Sequence, residues 1–280
     1  MPKQGSSLRA LQDSLGHVGH IGRGGARSLI GSSIGWSINW WHVVKVGALI
    51  LVLALSPSTY NRANRTALAA QLVRGTAPIL PWFALFSAVV SLVLIRIVVV
   101  TAVSYGLSQY ALALVIRVLV IELIPLTAAL FVALRVTLPS GAELVRLQAS
   151  GGLAALAAQG GDPLRHELMP RVVAGIFAVA MLAAVSCGVA TVLSYLAIYG
   201  FTLGGLDGFT RTMGQIFDPS VTLILALKTL LFSLAVALIP VAAFLRGARA
   251  LGAHPELDSL VRLFAAILVI EAISLMGNYH

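Results

Sequence analysis

Five ionisable side chains stand inside long apolar runs and are the residues of this chain best placed to do chemistry. They are Arg96, Arg117, Glu122, Lys228 and Glu271. A charge at mid-bilayer costs about 2.5–3.5 kcal/mol on insertion scales, so an ionisable residue there marks a functional site by default. We therefore expect these five residues to serve a transport path or the assembly of helices.

Glu122 is the strongest candidate among the five. It lies about 12 residues into its apolar run, roughly 18 Å along a helix and so near the middle of a bilayer. Pro125 follows three residues later and frees a backbone carbonyl, because proline has no N–H to donate. A bent helix beside an acid is typical of a cavity wall.

The charges also predict ion pairs between neighbouring runs. Arg117 stands about 140° around the helix from Glu122, which makes it a poor direct partner. Arg96, on the preceding run, is the better expected partner of Glu122, and Lys228 is expected to pair with Glu271. Each pair either lines a substrate path or only fixes helix packing, and both interpretations stay open.

The sequence predicts no catalytic or metal-binding residues. His17 and His20 have the three-residue spacing of two metal ligands, but only Asp13 stands close to them, and the other histidines do not cluster. No G-x-x-x-x-G-K-[ST] run for binding nucleotide phosphates occurs. We expect no cofactor in this chain and no enzyme activity of its own; if the protein uses ATP, another subunit must bind it.

The composition identifies the class of protein that must position these residues. Of 280 residues, 59% are hydrophobic and only 10% are charged, against about 25% charged in soluble domains. This excludes a soluble or disordered chain, and the single cysteine, Cys187, excludes a disulfide scaffold. No run alternates like a barrel strand, so the prediction is an all-α integral membrane protein.

The chain divides into two predicted domains. Residues 1–41 form a basic, Gly/Ser-rich cytoplasmic extension with a short amphipathic helix, and residues 42–280 form the membrane domain. Residues 43–74 are predicted to be an interfacial helix, with a first true span at 43–55 as the competing interpretation. Five membrane spans follow at 79–104, 110–138, 172–200, 220–245 and 260–277. Each is long enough to cross a bilayer, which needs about 17–25 residues.

Basic residues predict the orientation of these spans. Lys and Arg occur in the N-terminal region and in the loops at 139–171 and 246–258, whereas the two alternate loops hold only Arg211. The positive-inside rule therefore places the first three regions in the cytoplasm. The C-terminus then lies outside. Residues 143–160 carry a weak apolar stripe and predict a short helix at the cytoplasmic face, which is either a docking element for a motor protein or an ordinary loop helix.

Residues 119–175 resemble the MlaE/YrbE family of ABC transporter permeases, which work with mammalian-cell-entry (MCE) domain proteins. Four motifs carry the resemblance, with matching order and spacing. They are E-x-x-P with a following arginine (Glu122, Pro125, Arg135), the pair Ala142-Glu143, D-P-L-R (Asp162 to Arg165) and P-R-x-x-A-G (Pro170 to Gly175). Lys228 and Glu271 also fall at or near ionisable positions of the family.

The resemblance implies a fold, partners and a substrate. The family fold is an interfacial helix and five spans, with a coupling helix between the second and third spans. Two permeases, an ABC ATPase dimer and periplasmic MCE-domain proteins form the complex in the bacterial inner membrane, and the substrate is phospholipid or a related lipid. By position, the substrate-binding residues are Leu94, Thr101, Tyr105 and Glu122. Those implied in coupling to the ATPase are Glu143, Arg146, Leu147, Leu156, Asp162 and Arg165.

The chain also departs from the family pattern. The coupling segment lacks the usual acidic residues, Ile124 replaces a glycine, and Arg96 and β-branched residues replace a glutamine and glycines of the first span. The second permease is therefore either another copy of this chain or a related, more typical one. Two alternatives to a transporting permease remain, a non-transporting scaffold in the same kind of complex and, less favoured, a proton-coupled secondary transporter.

Overall fold

The computed structural model describes Lys45, Gly47, Ala48, residues 62–152, Ala158, residues 167–245 and residues 255–278. The chain divides into two compact units, Met1–Val46 and Gly47–His280, and the second contains all the elements below. The predicted extension helix and residues 43 and 44, 46 and 49–61 of the predicted interfacial element lie outside the described residues. Among the coupling residues, the same is true of Leu156, Asp162 and Arg165.

All regular elements of the described residues are helical. The helices are α1 (Arg62–Thr76), α2 (Leu80–Ser104), α3 (Ala111–Ala149), α4 (Met169–Tyr199), α5 (Leu206–Ile216), α6 (Pro219–Leu245) and α7 (Pro255–Asn278). Proline stands in the first turn of α2 and of α4, where its missing N–H costs no helix hydrogen bond. Helix α1 covers the end of the predicted interfacial element; its place at a membrane surface stays a prediction.

Among the described residues, five helical segments are long and apolar enough to cross a membrane, which confirms the five spans predicted after residue 74. They are Leu68–Ser104, Ala111–Ala149, Met169–Tyr199, Pro219–Ala242 and Ser259–Gly277. The second differs most from its predicted bounds, because the helix continues past residue 138 to Ala149. The added residues include Glu, Leu, Arg and Gln, which are strong helix formers even where the apolar run has ended.

Helices α3 and α4 occupy the centre of the bundle. Helix α4 packs against α1, α2, α3 and α6, and α7 packs against α6. In the most apolar window of each span, 56% of the second span is buried but only 22% of the first and of the fifth. The second span is therefore largely enclosed by protein, whereas α2 and α7 present most of their surface outward.

Glycine permits close approach of helices at the centre of the bundle. A Cβ atom added at Gly175 of α4 would lie 3.1 Å from Thr137 Cγ2 of α3 and 3.2 Å from Ala237 Cβ of α6. At Gly141 of α3 it would lie 3.2 Å from Cβ of Pro240 in α6. The glycine of the P-R-x-x-A-G motif thus lies where α3, α4 and α6 meet.

Helix α3 departs from α-helical geometry in two places. Ile116–Leu123 and Ala133–Thr137 are π-helical, and the first of these segments contains Glu122. π-Helical turns are rare in proteins, but those that occur often lie at functional sites. The sequence predicts a broken or bent helix near Pro125, and the π-helical segment Ile116–Leu123 lies just before this proline.

Candidate functional site

Lys228 is the centre of a buried charge network that joins three spans. Its side chain, on α6, is 1% exposed. The ammonium Nζ donates a hydrogen bond to the carboxylate of Glu122 on α3. It also lies 3.0 Å from Oε1 and 2.9 Å from Oε2 of Glu271 on α7. The second, fourth and fifth spans therefore meet at three ionisable residues.

The expected pairing of Arg96 with Glu122 is wrong, whereas the expected contact of Lys228 with Glu271 is confirmed. Glu122 pairs with Lys228, so a single network replaces the two separate pairs. The physical reason is the packing, because α3 lies against α6 and brings Glu122 to Lys228. Arg96 instead lines a groove between α2 and α4.

The backbone of α3 also contributes to the network. Lys228 Nζ lies 3.5 Å from the carbonyl oxygen of Ile121, which is a long hydrogen bond. Ile121 precedes Pro125 by four residues, so this is the carbonyl that Pro125 cannot reach with an N–H. The sequence-based prediction of a freed carbonyl beside Glu122 thus corresponds to an acceptor for the lysine.

The network contains more acidic groups than basic groups. With all three groups ionised, two carboxylates face one ammonium, and the net charge is negative. The glutamate side chains are 13% and 16% exposed, so little water screens them. Removing the lysine would leave two uncompensated carboxylates, and such a loss of one partner of a buried ion pair is strongly destabilising. The ring of Phe232, 5.8 Å from Nζ at its centroid, adds an attractive contact for the cation.

The other predicted substrate residues lie on α2 and at its end, outside this network. Leu94 is half-buried and packs against the core cluster that includes Ile116 and Ile121. Thr101 is exposed, and Tyr105 is 77% exposed at the end of α2. The seven- and four-residue intervals place these three residues on one face of the helix. Their contact with substrate stays a prediction.

A second ion-pair cluster lies where α3 ends and α4 begins. Arg171, whose side chain is 9% exposed, has its Nη2 atom 3.5 Å from Oε2 of Glu143 and 3.1 Å from Oε2 of Glu167. Sequence reasoning assigned Glu143 to the coupling set but assigned no role to Arg171. The P-R-x-x-A-G motif, which contains Arg171, was the available signal.

Two further coupling residues lie on the same helical end. Arg146 is exposed and Leu147 is half-buried, both within the last turns of α3. The helix is interrupted at Ser150 and at Gly151, which has a positive φ of 74°. The part of the predicted coupling helix that the structure describes is therefore a continuation of the second span.

Five helices able to span a membrane in the described part of the chain, three of them joined by a buried charge network, define a multi-pass membrane protein. Residues 68–276 match the family described as Permease MlaE, which is well over half of the chain. The protein belongs to the MlaE permease family, and the resemblance found in its motifs is confirmed. It is thus an ABC-type lipid-transport permease, the membrane subunit of a multi-component transporter. A search of curated protein sequences finds no significant match.

Proposed function

We propose that this chain is the permease of an ATP-driven transporter that moves phospholipid between the bacterial inner membrane and a periplasmic MCE-domain protein. A second permease, identical or related, completes the membrane core. A separate cytoplasmic ABC ATPase dimer binds ATP and Mg²⁺. The N-terminus lies in the cytoplasm and the C-terminus in the periplasm, as the distribution of basic loops favours.

The observation that carries this proposal is the unbroken helical path from Glu122 to the end of α3. Glu122 and the predicted motor-contact residues Glu143, Arg146 and Leu147 belong to one helical segment, Ala111–Ala149. At 1.5 Å per residue, about 40 Å separate Glu122 from Ala149. A push on this end by the ATPase therefore moves the helix that carries Glu122.

The ion pairs convert that movement into a change at mid-membrane. Arg171 ties the end of α3 to the start of α4 through Glu143, and Lys228 ties the middle of α3 to α6 and α7. When α3 shifts, the Glu122–Lys228 contact must re-form or break. We propose that this rearrangement closes a lipid pocket between paired first and second spans, lined by Leu94, Thr101, Tyr105 and Glu122.

Transport by Glu122 variants tests the proposal. The complex, purified with its ATPase and MCE-domain partner, is reconstituted in vesicles with a fluorescent phospholipid, and ATP-dependent transfer is measured. We expect E122A and E122K to impair transfer while the complex still assembles. The matched control is D207A, which removes an exposed acid on α5 outside the network. Wild-type transfer by both Glu122 variants would contradict the proposal.

The same preparation separates the alternatives. A permease that only holds the complex together would assemble normally but show no lipid-stimulated ATP hydrolysis. The absence of acidic residues between Gln148 and Gln159 is the observation behind that alternative. A proton-coupled transporter would move lipid with a pH gradient and without ATP.

A further inference from the structure

A groove between α2 and α4 has the size and lining of a small-ligand site. Its volume is about 430 Å³, within the range of roughly 300–1,000 Å³ typical of such sites. The apolar lining residues are Leu92, Ile95, Val99, Leu193, Leu196 and Ala197, and the one charged side chain in the lining is Arg96. The groove is thus an apolar channel beside a single cation.

Arg96 lies in this groove without a protein counter-charge among the residues that the structure describes. It is exposed and stands eight residues before the end of α2 at Ser104, or about 12 Å along the helix. This depth is within the apolar segment, where an unpaired charge is costly. A guanidinium presents a planar fork of donors that matches the oxygens of a phosphate.

The groove lies on a different face of α2 from the predicted substrate residues. At 100° per residue, Arg96 is about 160° around the helix from Leu94, and Val99 is about 160° from Thr101. Ile95 of the groove belongs to the core cluster against which Leu94 and Val99 both pack, whereas Leu92 at the groove is 58% exposed. Arg96 and Leu92 therefore lie on a different face of α2 from Leu94 and Thr101, and the groove lining includes no member of the Lys228 network.

We propose that this groove binds one anionic phospholipid from the surrounding membrane. Its phosphate accepts hydrogen bonds from the Arg96 guanidinium, and one acyl chain lies along Leu92, Val99, Leu193 and Leu196. A net negative headgroup compensates the charge of Arg96, whereas the ammonium of a zwitterionic headgroup opposes it. The site does not depend on the proposed function, because a permease unable to transport would still hold this lipid.

Lipid retention by the full chain tests the proposal. Wild-type and variant proteins are reconstituted with equal parts of phosphatidylglycerol and phosphatidylcholine and re-extracted in mild detergent, and the bound lipids are counted by native mass spectrometry. We expect R96Q to retain about tenfold less phosphatidylglycerol, since hydrogen bonds to a charged group are the stronger ones. R96K should retain part of it. The matched control R211Q, which removes an exposed arginine of α5 outside the apolar spans, should behave as wild type.

Three results would overturn the proposal. The first is equal retention of phosphatidylglycerol by wild type and R96Q. The second is an equal loss in R96Q and R211Q, which would indicate a non-specific effect of surface charge. The third is that the wild type retains as much phosphatidylcholine as phosphatidylglycerol. If R96Q does not fold, A197W replaces it, because it fills the groove without removing the charge. It should lower retention at an unchanged melting temperature; full retention would contradict the site.

A cross-linking arm identifies what covers the groove. A photoreactive amino acid at Leu196 should form adducts with phosphatidylglycerol in membranes. Adducts with a second copy of the chain would overturn the proposal and make this face a protein interface.

Discussion

At the scale of single residues, Lys228 organises the membrane interior of this permease. Its ammonium joins Glu122 and Glu271 and reaches the carbonyl of Ile121. Neither glutamate could be replaced or protonated without changing the surroundings of the other, because they share this one cation. The three residues should therefore behave as a unit in mutational experiments, with effects that do not add.

The first prediction at this scale concerns the loss of the cation. K228M should lower the free energy of unfolding by about 3 kcal/mol, the magnitude found when one partner of a buried ion pair is removed. The physical reason is the pair of buried carboxylates left facing each other. The measurement is equilibrium unfolding in mixed micelles, and R211M, at an exposed arginine of α5, is the control.

A triple variant distinguishes charge imbalance from lost packing. Adding E122Q and E271Q to K228M removes the two uncompensated charges and should recover most of the lost stability. A triple variant no more stable than K228M would show that the side-chain packing of the lysine, and not the charges, stabilises the bundle.

At the scale of elements, the close packing of α3, α4 and α6 depends on residues without side chains. Gly175 lies where all three helices meet, and Gly141 lies against Pro240. Small residues at such contacts let helix backbones approach, which is the main source of packing energy between helices in lipid. The motif glycine is thus explained by helix packing and requires no role in substrate binding.

Two glycines of α4 provide a matched test of this packing. G175L should destabilise the protein by about 1–3 kcal/mol, as expected for overpacking, because even its Cβ would lie within 3.2 Å of Thr137 and Ala237. G188L, on the same helix, meets no atom within 4 Å of its Cβ and should be neutral or slightly stabilising. Equal melting temperatures for the two variants would contradict this account.

The junction of α3 with α4 gives a second prediction at the element scale. Glu143 is 64% exposed, so E143A should change the melting temperature little, as for most exposed ion pairs. If the Glu143–Arg171 contact transmits movement, E143A should reduce lipid transferred per ATP hydrolysed by severalfold. Q148A, at another exposed residue on the same helical end, is the control. An unchanged ratio in E143A would remove this contact from the coupling path.

At the scale of the whole molecule, the sequence predicts the helices and their order better than their neighbours. Apolar run lengths correctly indicate five spans, because the bilayer sets a minimum length for each. They cannot show which spans pack together. Counted from the same side of the membrane, Arg96 and Lys228 lie at similar depths of about 12 and 14 Å. Depth alone therefore could not select the partner of Glu122.

The candidate site was also predictable only in part. Glu122, Lys228 and Glu271 were identifiable because charges are rare in apolar runs. Arg171 was not, because an arginine at the end of a span looks like any other flanking basic residue until Glu143 and Glu167 are seen beside it. The π-helical turn around Glu122 leaves no periodicity that distinguishes it from α-helix in so apolar a sequence.

The unbroken course of α3 from Ala111 to Ala149 has a consequence for how this protein can evolve. Each inserted or deleted residue turns everything beyond it by about 100° and shifts it by 1.5 Å. One such change between Glu122 and Glu143 would point Glu143 away from Arg171 while Glu122 still faced Lys228. Substitutions can accumulate along this stretch. Its length cannot change freely, because Glu122 and Glu143 must keep their relative direction around the helix axis.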